Sequence, residues 1–121
     1  MQFRLLLLTV FTLLLAACAS RDQYHWGQYE VLIYSMYVKP GEAPPERQIV
    51  KLTEDIQRAR ANGKSPGPGI FAHLGYMYAL SGDEAAANQA FEEEMRLFPD
   101  AVVLIKGMQA RAKKQARDRK H

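Results

Sequence analysis

"GIFAHLGYMYALSGDEAAANQAFEEEMRLFPDA", residues 69–101, decides how the rest of the chain is read. At its centre Ser81-Gly82-Asp83 forms a turn, and Asp83 is placed to cap a helix that begins after it. Phe71, Leu74 and Tyr78 stand before the turn, and Ala87 and Phe91 stand after it, at helical spacing. Gly75 and Ala87 are small enough to let two antiparallel helices approach closely. The larger side chains then fill the seam. The stretch predicts a helical hairpin.

The same positions resemble the tetratricopeptide repeat. Phe71 takes the large aromatic site, Leu74-Gly75 and Tyr78 follow on the first helix, Ala87 and Phe91 on the second, and Pro99 closes the unit. One site departs, because Glu94 stands where the repeat has a small residue. The resemblance implies that the first helix lines a concave face, here through Ala72, Tyr76 and Ala79.

One hairpin cannot bury its own faces, so neighbours must cover it. Upstream, apolar residues recur from Trp26 through Tyr29, Ile33 and Tyr37, with Leu32 and Met36 beside them, predicting a helix to Val38. Lys39-Pro40-Gly41 stops it. A second helix is expected from Pro45 or Glu46, with Ile49, Leu52, Ile56 and Ala59 inward. Glu46, Lys51, Glu54, Asp55 and Arg58 are expected outward. Asn62-Gly63 ends this helix as a left-handed cap would, and residues 64–69, KSPGPG, connect it to the hairpin. Downstream, Asp100 is placed to cap a last helix carrying Val102, Ile105 and Met108 inward, which covers the open end of the stack. The expected fold is all-α: a short tetratricopeptide-like stack of about five mature helices, preceded by an apolar signal helix, with almost no strand.

Residues 5–17, LLLLTVFTLLLAA, follow the single basic Arg4. A basic start, an apolar run and small residues at its end make a secretory signal. It is short for a membrane span, which takes about 20 apolar residues. Leu15-Ala16-Ala17-Cys18 resembles the lipobox of bacterial lipoproteins. That likeness implies a diacylglyceryl group on the Cys18 thiol, cleavage before it and acylation of the new amino group. The plainer readings are a free thiol behind an ordinary signal, or an odd cysteine without a role. Cys18 is the sole cysteine among 121 residues, so the chain can form no internal disulfide or multi-cysteine metal site. Ala19 and Ser20 follow it rather than the aspartate that retains enterobacterial lipoproteins in the inner membrane. This points to the periplasmic side of the outer membrane. The expected divisions are a signal at 1–17, a lipidated tether at 18–23, a helical domain at 24–110 with its clearest repeat at 68–101, and a basic tail at 111–121.

No stretch announces chemistry. Asn62-Gly63-Lys64-Ser65 imitates part of a phosphate loop, but Arg58 stands where the first glycine is required. His25, His73 and His121 lack paired spacing, and His73 is expected at a helix surface or seam. Glu92-Glu93-Glu94 point in different directions around a helix, so they do not converge on a substrate. Glu92 and Glu93 are expected in solvent, with Arg96 paired to one of them. No catalytic residue, cofactor, metal or small-molecule substrate is expected, and export argues against nucleic acid despite the net charge of +3. The basic run from Lys106 to His121 either touches anionic headgroups or peptidoglycan, or is a solvated helix end. Trp26 and Tyr29, with Tyr24, form an aromatic cluster close to Cys18. It either packs as the edge of the stack, lies at the membrane interface or serves as a docking patch.

The lipobox, the Tyr-x-Trp-Gly-x-Tyr stretch and the Leu-Gly-x-x-Tyr repeat together resemble an uncharacterised family of small bacterial lipoproteins, a domain of unknown function. Its members are commonly encoded beside a curli-type secretion-channel lipoprotein. The resemblance implies a non-enzymatic adaptor in an envelope or secretion assembly, with Trp26, Tyr29, Ala72, Tyr76 and Ala79 as candidate partner contacts. The alternative is a spacer that links the outer membrane to peptidoglycan through its basic tail.

Overall fold

The structure is a computed structural model that describes residues 1–2, 23–39 and 41–120. The apolar run of the signal and Cys18 lie outside the described residues. Within them the chain is all-α. Five helices follow in order: α1 (Tyr29–Val38), α2 (Pro45–Ala61), α3 (Ile70–Ser81), α4 (Glu84–Leu97) and α5 (Val102–Asp118). A short 3-10 turn, Pro99–Ala101, joins α4 to α5. Two dipeptide strands, β1 (Tyr24–His25) and β2 (Ser65–Pro66), pair in parallel.

The central element is α3. Eight of its residues are buried, from Ile70 through Gly75 together with Met77 and Ala79. A helix apolar all round belongs in the interior, with neighbours on every side. On one side Ile70, Phe71, Leu74 and Met77 pack with Leu32 of α1, Leu52 and Ile56 of α2 and Ala90 of α4. On the other, Ala72 and Ala79 pack with Ala87 and Phe91 of α4 and Ile105 of α5.

The hairpin expected around Ser81-Gly82-Asp83 is present. Gly82 adopts φ +91°, and Asp83 Oδ1 accepts the Ala86 amide at 2.9 Å, so the predicted cap forms. A Cβ at Gly75 would stand 2.8 Å from the Phe91 ring and 3.0 Å from the Ala87 carbonyl, closer than side chains pack. That glycine sets the approach of α3 to α4. Ahead of them, α2 begins with Pro45 in its first turn. It ends where the Gly63 and Lys64 amides donate to the Arg60 and Ala59 carbonyls, as expected of Asn62-Gly63.

Several expectations are corrected. The first helix begins at Tyr29 rather than Trp26, because Gly27 turns the chain at φ +53°. Its inward residue is Leu32, whereas Tyr37 is mainly exposed. Asp55 is buried instead of outward, for a reason given below. Asp100 lies within the 3-10 turn and makes no cap to α5. The helical domain does not stop at residue 110, since α5 runs unbroken to Asp118. Beyond it Arg119 turns back onto α3, donating from its guanidinium to the Leu80 carbonyl at 2.7 Å and the Ala79 carbonyl at 2.9 Å. A cation at the end of a helix meets its unpaired carbonyls and the negative pole of its dipole.

Candidate functional site

The loop between α2 and α3 and the segment before α1 are tied together by groups the sequence pattern did not mark. α3 starts behind Gly69 at φ +95°, and no side chain of its own caps it. Glu94 does so from α4. Its Oε1 accepts the Gly69 amide at 2.6 Å and its Oε2 the Ala72 amide at 3.1 Å, with the Phe71 amide also donating. A helix's first amides have no partner within the helix, and their end of the dipole favours an anion. Burial pushes the Glu94 carboxyl above the usual carboxylate range, and the three amides offset only part of that rise. Here the departure from the small residue of the repeat has its cause.

Asp55 plays the matching part at the entry to α1. Its Oδ2 accepts the Gln28 amide at 2.6 Å, and Arg58 lies 3.7 Å from Oδ1. A Cβ at position 27 would collide with this carboxylate, so Gly27 serves both the turn and the contact. Trp26 lies over Gly67 of the connector, where a Cβ would meet its ring at 2.7 Å, and the Gly67 amide donates to the His25 carbonyl. Tyr24 meets Phe98 edge-on at 5.9 Å, and Tyr29 meets His73 edge-on at 5.9 Å. Tyr24, Trp26 and Tyr29 therefore pack the N-terminal segment onto the stack, while Trp26 keeps an exposed edge.

His73 is not at a surface. It is buried, with its Nε2–H donating to Gln48 Oε1 at 2.7 Å, and Gln48 Nε2 donates in turn to the Ala43 carbonyl. Burial lowers its pKa to about 4, which keeps the ring neutral near pH 7. Glu92 is exposed, and Glu93 is half-buried. Arg96 donates to both oxygens of Glu93 at 2.7 and 2.8 Å, and Arg60 adds a contact at 3.8 Å. Arg96 holds the Glu93 carboxyl below the usual range.

A groove of about 380 Å³ opens between α1, α3 and α5. Its walls are Ile33, Met36 and Tyr37 on one side and Leu104 and Met108 on the other, with Arg111 completing the α5 wall. Tyr29, Ala72, His73 and Tyr76 also line it. Of the five expected partner contacts, the structure brings Tyr29, Ala72 and Tyr76 into this groove. Ala72 is nearly fully buried and its amide is bound by Glu94, so it contributes little surface of its own to the groove. Trp26 lies outside, lining a shallow hollow with Tyr29, Glu30 and Ile33. Ala79 is elsewhere, in the seam where Ala87 and Phe91 of α4 meet Ala112 and Ala116 of α5. Its small side chain admits α5 and is covered by it, so it presents no open face. Neither periodicity nor the resemblance marks Leu104 and Arg111 of the groove as contacts, and they lie on a helix expected only to cover an end. Burial raises the Tyr29 hydroxyl above its ordinary pKa, and the nearby Glu94 and Tyr37 reinforce this.

Among the described residues no cluster of three histidine, cysteine or acidic side chains could hold a metal. No described helix is long and apolar enough to cross a membrane. What the fold defines is an all-α protein with a mainly apolar groove walled by three helices. Residues 23–108 match the family described as Domain of unknown function (DUF4810), and the chain belongs to that family. Neither a curated protein nor a solved structure matches it.

Proposed function

We propose that this protein is a non-enzymatic lipoprotein adaptor on the periplasmic side of the outer membrane, held by lipidated Cys18. Its tetratricopeptide-like stack takes a segment of another envelope protein into the groove between α1, α3 and α5. The observation that carries this reading is the groove itself. Its volume, about 380 Å³, lies toward the small end of the range of about 300–1,000 Å³ typical of binding pockets. Three helices supply apolar walls, and two methionines can adjust to an inserted side chain. The charged side chain among its lining residues is Arg111, which would pair with a carboxylate on the partner and fix its register. The titratable group deepest in the groove, His73, is buried and its Nε2–H is taken up by Gln48, which supports a non-catalytic reading. The resemblance to lipoproteins encoded beside a curli-type secretion lipoprotein makes that channel component the first partner to test.

The test is a crosslinked pull-down of the lipidated protein from outer membranes, beside a Cys18→Ala control and a Tyr76→Ala variant. The adaptor reading expects a defined envelope protein to be recovered. Recovery should be lost in the control and weakened by Tyr76→Ala at unchanged helicity. Unchanged recovery with Tyr76→Ala removes the groove from the account.

One observation favours the spacer as a second reading. The basic run is helical to Asp118, with Lys113, Lys114 and Arg117 exposed along α5 and Lys120 just beyond it. Truncation after Met108 should abolish sedimentation with peptidoglycan if these groups bind the wall. Because truncation also removes Arg111 and Arg119, a full-length Lys113→Gln/Lys114→Gln/Arg117→Gln protein provides the cleaner comparison. Normal sedimentation of that protein rejects the spacer.

A further inference from the structure

We infer that the outward face of α1 lies on the lipid leaflet that holds Cys18, so that this helix is itself a membrane-surface element. The inference rests on the lipoprotein reading of Cys18 and goes beyond it, because acyl chains alone require no particular face of the domain to touch lipid. Val31, Tyr34 and Val38 recur at helical spacing on one strip of α1 and are 64%, 58% and 55% exposed. Tyr37 flanks the strip at 75%, and Trp26, just ahead of the helix, is 43% exposed. On a helix facing water this strip would be polar. Glu30 at its edge is the only charged residue within α1, whose only buried residue is Leu32. Leu32, Tyr29 and Met36 pack inward, while Val31, Tyr34, Tyr37 and Val38 leave a broad apolar strip uncovered on the other side.

The tether selects the occupant. Between Cys18 and Tyr24, where β1 begins, the backbone reaches at most about 20 Å even when fully extended. Trp26 and α1 follow within a few residues, so the N-terminal end of the domain is confined to that distance from the headgroups. A folded partner covering the strip would have to fit into this gap, whereas the leaflet is already there. The residue types agree with that placement. Tryptophan and tyrosine favour the lipid–water boundary, with the ring body in the apolar layer and the N–H or O–H among headgroups. Val31 and Val38 add apolar area between them. A ten-residue helix is too short to span a bilayer, so its contact with lipid is along its side, with Leu32 and the Asp55 contact to Gln28 holding the opposite side to the domain.

Trp26 is the only tryptophan in the chain, so its emission reports on this region directly. The experiment places the mature lipidated protein in phospholipid vesicles, with and without brominated acyl chains, and compares it with the soluble Cys18→Ala protein. The expected result is a blue shift, a several-fold loss of emission with brominated lipid, and reduced quenching by aqueous iodide. A Val31→Glu/Tyr34→Glu protein should lose the lipid quenching while still floating with vesicles and keeping its helical circular dichroism. Emission that ignores brominated lipid, and stays as open to iodide as in the Cys18→Ala protein, overturns the inference. So does lipid quenching that survives the double glutamate substitution. Flotation and the mass of the N-terminal peptide separate this failure from that of the anchor. A protein that is acylated and floats but is unquenched refutes the face alone. A Cys18 peptide without acyl mass refutes the anchor, and the face with it.

Discussion

The α3–α4 hairpin and α1 use apolar residues in opposite ways. In the hairpin nearly every large apolar group is turned inward, and backbone approach is set by Gly75 against Phe91. In α1 only Leu32 is buried, while Val31, Tyr34, Tyr37 and Val38 face outward. The hairpin is held by its own seam. The attachment of α1 lies largely ahead of its first residue, in the Asp55 contact to Gln28, the Trp26 ring over Gly67 and the short β1–β2 pairing. The stable core and the surface available for contact are therefore different parts of a small molecule, and each should fail in its own way.

The sharpest break is Phe91→Ala. It removes a fully buried ring from the α3–α4 seam and should cost about 3–5 kcal/mol. Urea unfolding followed by circular dichroism should show the main helical transition moving to lower denaturant. A shift under about 1 kcal/mol would mean that the seam can collapse around the void.

Next comes acidity. His73 has a folded pKa of about 4 against an ordinary 6.5, because burial disfavours the charged ring. Below pH 6.5 the unfolded chain binds a proton that the folded chain refuses. Stability from this group therefore falls as pH drops from 6.5 toward 4, by up to about 3 kcal/mol. Glu94 acts in the opposite sense. Its raised pKa makes the folded state bind its proton first, so its contribution rises as pH falls through its titration. His73→Gln should flatten the decline between pH 6.5 and 4 in thermal melts. An unchanged decline would assign it to other groups.

Glu94→Leu should cost about 2 kcal/mol, since it leaves buried amides at the start of α3 without acceptors. Glu94→Gln, which keeps one acceptor oxygen, should lose less. Equal losses in the two would show that the charge rather than the hydrogen bonds matters.

The smallest effect is also the most local. Asp55→Ala should cost about 1 kcal/mol and act on the clasp. Hydrogen exchange is expected to speed up across residues 26–38 while protection in α3 and α4 stays level. Uniform loss of protection would show that α1 and the hairpin unfold as a single unit, erasing the distinction drawn above.

How much of this could be read from the chain follows the same division. The hairpin was legible because its signals are local: a turn at Ser81-Gly82-Asp83, small residues at Gly75 and Ala87, and apolar groups at helical spacing. The inward stripe of α2 was legible for the same reason. Asp55 and Glu94 were not, because the amides they serve lie 27 and 22 to 25 residues away, and helical periodicity sees only neighbours on one helix. Glu94 did leave a trace, as the one departure from the repeat opposite a helix that starts behind a glycine. In the groove, Tyr76 and Ala72 followed from the resemblance, whereas Leu104 and Arg111 depended on how α5 crosses α3. Ala79 was misassigned because that crossing covers it.

The return of Arg119 to the carbonyls of Ala79 and Leu80 also has a consequence in time. A ribosome supplies the end of α3 long before the residue that completes it, which follows 39 to 40 positions later. Until then the Ala79 carbonyl has only the Gly82 amide within the turn, and the α3–α4 unit exists in an unfinished form. The finished form is a late event in the life of each nascent chain, available once α5 has been delivered and has swung across the hairpin.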